Sequence, residues 1–393
     1  MNLSAILKSE IQQFITQNIG VDISKLALQR NPFPEVDWQY ILNQISAKTK
    51  AKTKLPTWFN KENIIFPSKI SVEQTSSEVT AFYKSNIVSG ASLIDLTGGF
   101  GVDDYYFSKK IKQVIHCEIN EELSQIVSYN FKILQKENIN CICGNSFDIL
   151  QELNQKMDWI YIDPSRRSDS KGKVFMLKDC LPNVPELLDE YFKFADNILI
   201  KTAPILDISA GLGELNNVKN IHIVAVNNEV KELLWEIKKD FNDFVTIKTI
   251  NLNKEKEDFF EFNLSQNQTD YSISLPKKYL YEPNSTILKS GGFNEVGLHF
   301  GLNKLHQHSH LYTSDDKIDF PGRIFEIKQL FEYSKQGMKA FLEKKKANIT
   351  TRNFPETVEN IRKKWKIKDG GQVYTFFTTD ANNRKIVLLC AKI

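Results

Sequence analysis

Residues 91–104 read ASLIDLTGGFGVDD, and the fold is decided there. Leu93 and Ile94 form an apolar run that ends in Asp95. A glycine-rich turn and a helix-like segment follow. Strand, glycine loop and helix in that order suit a nucleotide-type ligand. Gly98, Gly99 and Gly101 let the backbone come close, and the helix N-terminus offers unpaired N–H groups and partial positive charge. A dinucleotide fingerprint has the frame G-x-G-x-x-G, whereas the frame from Asp95 is D-L-T-G-G-F-G.

That frame resembles motif I of the class I S-adenosylmethionine (SAM) methyltransferases, D-x-G-x-G-x-G, with Thr97 in place of the first glycine. Later strand ends support the resemblance. VIHCEIN at 114–120 puts Glu118 where an acid takes both ribose hydroxyls. CICGNSF at 141–147 places Asn145 and Ser146 in the loop expected to read the adenine. DWIYIDPSRR at 158–167 ends a fourth strand in Asp163-Pro164, and NILIKTAP at 197–204 supplies a fifth. SAM is the expected cofactor.

The chain has 393 residues, 41% of them hydrophobic, which implies several domains with real cores. No apolar run has the length of a membrane span, and no signal-peptide pattern opens the sequence. Five scattered cysteines, with Cys141 and Cys143 too close for a zinc knuckle, imply a reduced, cytoplasmic protein. The net charge is only +3, but its distribution is uneven. Residues 48–54 (KTKAKTK), Lys344–Lys346 and Arg362–Lys364 are basic clusters, read either as solvated faces or as contacts to a phosphate backbone.

Residues 1–88 read as a helical region. Leu7, Ile11, Phe14 and Ile15 share one helix face, and Trp38, Ile41, Leu42 and Ile45 share another. A third helix is expected through SVEQTSSEVTAFYK, N-capped by Ser71; its polar face (Gln74, Ser77, Thr80) either borders the cofactor's methionine end or is simply surface. Residues 89–265 alternate strand and helix, with strand cores SLIDL, QVIHCE, INCIC, DWIYID, NILIK, IHIVAV and FFEFN. This predicts an α/β fold, Rossmann-like, with a mostly parallel seven-stranded sheet whose ligand sits at the C-terminal strand ends. Trp235, in VKELLWEI, is read at helical spacing as core. Residues 266–330 and 331–393 read as two small α+β domains. The second contains an amphipathic helix (Val358, Ile361, Trp365) and a terminal hairpin.

The whole chain resembles a bacterial family of class I SAM methyltransferases with C-terminal ferredoxin-like and THUMP-like domains. The matching residues are EQTSSEVTA at 73–81, DLTGGFGVD at 95–103, YIDPSRR at 161–167, KTAPILDI at 201–208, YEPN at 281–284, HLYTS at 310–314, FPGR at 320–323 and GGQVYTFFTT at 370–379. THUMP domains elsewhere bind RNA on tRNA-modifying enzymes. The resemblance therefore implies an RNA methyltransferase acting on tRNA or rRNA, with no membrane and no obligate protein partner. A protein or small-molecule methyltransferase, or a non-catalytic SAM-binding RNA-binding protein, are the alternatives.

The resemblance also implies site roles. Asp95, Thr97, Gly99, Gly101, Asp103, Glu118, Asn145, Ser146 and Asp163 would hold SAM; Asp163, Pro164, Arg166 and Arg167 would handle the acceptor. Asp163-Pro164-Ser165-Arg166 stands where amino-directed enzymes carry D/N-P-P-Y/F, so Ser165 and Arg166 depart from that pattern. Arg166 echoes the D-P-P-R of carbon-5 uridine enzymes, but their later cysteine motif has no counterpart in KTAPI. Cys180 is read as a nucleophile or, preferentially, a buried thiol. Lys201 faces either the pocket or the surface. His306, His308 and His310 alternate as on one strand face, read as a polar edge or phosphate contact ahead of a metal site; no metal is expected.

Overall fold

The computed structural model describes residues 3–166, 176–253, 256–264 and 271–393. The chain divides into two compact units, Met1–Lys219 with Leu233–Asp243, and Asn220–Glu232 with Phe244–Ile393.

Among the described residues, nine strands of four or more residues lie between Ser92 and Asn263, two more than the sequence reading expected. They are β1 (Ser92–Asp95), β2 (Gln113–Glu118), β3 (Ile139–Cys143), β4 (Met157–Ile162), β5 (Ala195–Thr202), β6 (Val218–Val226), β7 (Glu229–Lys238), β8 (Thr246–Leu252) and β9 (Glu257–Asn263). In the first unit the order is β3-β2-β1-β4-β5-β7. Every pair is parallel except β7 on β5. β1 and β4 are apolar runs buried on both faces, as central parallel strands must be. Because these strands run parallel, Asp95, Glu118 and the residue after Ile162 emerge at one sheet edge.

β7 and β8 are the unexpected strands. VKELLWEI is not helical: Leu233–Ile237 is buried without interruption, the mark of a strand covered on both faces. Trp235 Nε1 donates to Thr202 Oγ1 at 3.0 Å. Gly211 admits the indole, since a Cβ there would lie 2.3 Å from Cη2. Asn227 and Asn228 both have positive φ and form the two-residue turn that joins β6 to β7.

The N-terminal region is helical as expected, but the third helix is broken. Lys69–Gln74 is capped by Ser68 and Glu78–Ser85 by Ser77, so Ser71 caps neither. In the second unit, β8 runs parallel to β6 and antiparallel to β9. A separate seven-stranded sheet follows, built from β10 (Tyr279–Pro283), β11 (Asn303–Lys304), β12 (Tyr312–Ser314), β13 (Gly322–Glu332), β14 (Asn348–Thr351), β15 (Val373–Thr379) and β16 (Lys385–Lys392), in the order β11-β12-β10-β13-β16-β15-β14. Leu280, Phe325, Phe376 and Leu388 form one core on it, and Met338, Ile361, Trp365 and Phe377 form another. His306, His308 and His310 do not share a strand face. They lie between β11 and β12, where His310 has φ 51° and stacks on Phe293.

Candidate active site

The loop after β1 is fixed by its own side chains. Asp95, 1% exposed, accepts from Thr97 N at 2.7 Å and from Thr97 Oγ1 at 3.1 Å. The Thr97 hydroxyl oxygen accepts from Asp163 N at 2.6 Å. The residue that departs from the motif I pattern therefore ties the glycine loop to the end of β4.

The glycines have distinct roles. A Cβ on Gly98 would lie 2.2 Å from the His116 ring, and one on Gly101 (φ 74°) would lie 2.5 Å from Phe131. Both are glycine because protein packs there. Gly99 (φ 55°) has only Thr97 O within 4 Å of its would-be Cβ, so its face is open. Its N–H donates to Glu118 Oε2 at 3.1 Å, and Glu118 Oε1 accepts from Asn120 N at 2.7 Å. Glu118 is thus a half-buried carboxylate held rigidly at the end of β2. Ile119, which the sequence reading passed over, follows it with its apolar side chain 73% exposed.

Asp103 is engaged within the protein. It accepts from Ser76 Oγ and Tyr161 OH, both at 2.8 Å, and pairs with the fully buried Lys84 at 3.2 Å. Burial pushes its carboxyl up, but Lys84 and then Lys201, with the two hydroxyls, outweigh that and hold it below the ordinary range. Beside it, Asp104 meets His116 Nδ1 at 2.6 Å in a fully buried pair. Burial, then Asp103, raises Asp104 well above a usual carboxyl, while burial lowers His116. Lys84, Ser76, Tyr161 and His116 were missed in the sequence, where a buried lysine has no local signature.

Asn145 caps the helix Ser146–Leu153, its Oδ1 accepting from Phe147 N and Asp148 N. Its carbonyl is thereby occupied, while Ser146 is half-buried in the first turn.

Asp163 and Lys201 meet at the sheet edge. The register pairs Ile162 with Ile200, so the next residues on β4 and β5 are neighbours. Lys201 Nζ donates to Asp163 Oδ2. The Lys201 side chain is 12% exposed and that of Asp163 36%, so the carboxylate is the accessible member. Pro164 is buried beneath it. Ser165–Arg166 pairs antiparallel with Cys180–Leu181. Cys180 is fully buried, its thiol directed at Met176 O at 3.7 Å, which agrees with a structural thiol. Arg167 lies outside the described residues. Among the described residues no group of His, Cys, Asp and Glu could hold a metal ion, and no helix is long and apolar enough to cross a membrane.

Comparison with known proteins places these features. A ferredoxin-like domain family matches residues 279–321 and a THUMP domain-like family matches residues 322–392. An uncharacterized RNA methyltransferase of Clostridium acetobutylicum is 31% identical over 117 residues, covering 30% of this chain and 25% of that protein. The match thus spans a quarter of that relative's length. A candidate methyltransferase from Porphyromonas gingivalis W83, known as a crystal structure, is 32% identical, with 99% of this chain and 98% of that one aligned at a TM-score of 0.86. Identity at that level, sustained from end to end with the two C-terminal domains in place, means that the chain belongs to the bacterial family of class I methyltransferase-fold proteins carrying C-terminal ferredoxin-like and THUMP-like domains.

Proposed function

We propose that the protein is a SAM-dependent methyltransferase acting on a nucleoside in structured RNA, tRNA or rRNA, with residues 89–265 performing transfer and the C-terminal domains capturing the RNA. One observation carries the reading. Two acidic residues, Glu118 and Asp163, stand at the ends of β2 and β4 and are tied to the same short loop, Glu118 by its carboxylate accepting from Gly99 N and Asp163 by its backbone N–H donating to Thr97 Oγ1. The first suits a ribose, the open Gly99 suits a close-lying ligand, and the exposed Ile119 suits an adenine face. When bound, SAM supplies an electrophilic methyl on a sulfonium.

The chain's own task is then positioning. Asp163 accepts a hydrogen bond or proton from the acceptor, and Lys201 holds the carboxylate in place. Arg166 and Arg167 orient base or phosphate. Asp95 and Asp103 are buried with their carboxylates engaged within the protein, and Asn145 caps its own helix, so we assign them to shaping the pocket. The RNA assignment is supported by the THUMP domain-like match and by the name of the Clostridium relative.

The test is turnover against bulk RNA over a salt series. An RNA enzyme loses substrate affinity as counterion release is suppressed. Turnover indifferent to salt would favour a metabolite or protein substrate.

A further inference from the structure

Three sequence motifs left unused by the proposed site, YEPN, HLYTS and FPGR, converge in the second unit. Glu282 on β10 and Arg323 on β13 are direct cross-strand partners. Arg323 Nε donates to Glu282 Oε2 at 2.7 Å, and its Nη2 donates to the same oxygen. Arg352, directly after β14, donates from Nη2 to Glu282 Oε1 at 3.0 Å. The strands approach this closely because residue 322 is glycine: a Cβ there would lie 2.2 Å from Glu282 O. Tyr281 OH meets Ser314 Oγ of HLYTS at 2.9 Å and fastens β10 to β12.

The charges in this cluster do not cancel. One carboxylate, 4% exposed, faces two guanidinium side chains that are 40% and 33% exposed. A wholly buried Arg–Glu–Arg triad is a known structural device, but here both cations reach solvent while the anion does not. The excess of one positive charge is therefore presented outward. The Arg323 guanidinium also lies 5.5 Å from the Phe325 ring centre, and the backbone of Arg352 is held by its N–H donating to Phe377 O at 3.0 Å. His310 is pushed down to about 4 by burial, then by Lys304, Arg352 and His308. His306 is bonded to Asn353, the residue after Arg352, and to Asn383.

We propose that Arg323 and Arg352, oriented by buried Glu282, form a clamp for a backbone phosphodiester of the RNA substrate. Guanidinium forks match phosphate oxygens, and arginines fixed in advance lose little freedom on binding. The proposal rests on the reading of the protein as an RNA methyltransferase.

The experiment measures binding of the full chain to fluorescein-labelled bulk tRNA over a salt series, with thermal unfolding in parallel. Arg323→Gln and Arg352→Gln are each expected to reduce the slope of log K against log salt by about 1. Arg352→Lys is expected to keep the slope with weaker affinity. If either glutamine variant unfolds, the lysine variant at the same position is read instead, with weaker affinity at an unchanged slope expected. Folded variants with wild-type affinity and slope would overturn the clamp and leave the RNA reading standing. Wild-type protein that binds SAM but no tRNA, and no rRNA fragments in the same assay, would overturn both.

Discussion

The ammonium of Lys201 rests against the carboxylate of Asp163, across the ends of two adjacent parallel strands. Any acceptor that bonds to Asp163 must share that carboxylate with Lys201, which is nearly enclosed. Lys201 is therefore a positioning residue. Lys201→Met should lower kcat by about a hundredfold, the low end for a group supporting proton management, with little change in SAM affinity measured by calorimetry. Partial rescue by Lys201→Arg would separate charge from packing. Unchanged kcat would place the pair outside the reaction.

Asp163→Ala should abolish transfer while leaving SAM affinity near that of the wild type, because the tie to the glycine loop runs through Asp163 N and not its carboxylate. Paired turnover and calorimetry check this. Loss of both would move Asp163 into the cofactor's own contacts.

Asp103 and Lys84 are a stability element. Asp103→Ala would leave a fully buried ammonium without its carboxylate, at a cost of about 3–5 kcal/mol, read by urea unfolding. The pH sign follows from Asp103's lowered folded-state value. Its contribution is present above the ordinary carboxyl range and is lost as pH falls through the folded value. Lys84→Met/Asp103→Asn should flatten that acid limb.

The loop glycines should separate by mechanism. Gly98→Ala drives a methyl into His116, a ring pinned by Asp104, and should destabilise by about 1–3 kcal/mol. Gly99→Ala meets open space and should cost only the left-handed backbone term of about 1–2 kcal/mol, but should weaken SAM binding out of proportion. Thermal unfolding beside SAM calorimetry distinguishes them. Equal effects on both readouts would remove the distinction.

Much of the first unit was legible because its chemistry is local. Strand, glycine turn and helix follow one another at 91–104, and the apolar runs of β1, β2, β4 and β5 each end at or just before a polar residue. VKELLWEI was not legible: a strand buried on both faces lacks the alternation that separates a strand from a buried helix segment. The available signal was the Asn227-Asn228 turn before it. Serines at 68, 71 and 77 are equivalent as caps in sequence, and only the break at Thr75–Ser77 selects among them. Side chains engaged with the protein itself, such as Asp103 with Lys84 or Asn145 with its own helix, match ligand-binding residues in type and position. Their partners are distant in the chain or on the backbone, so sequence spacing alone does not reveal them.

The central claim is tested most directly with methyl-tritiated SAM and total RNA and total protein from a strain lacking this gene, using wild-type protein and the Asp163→Ala variant. The account predicts label entering an RNA fraction with wild type alone, at one nucleoside resolved by mass spectrometry. Label in protein, or none in either pool despite measured SAM binding, would contradict it.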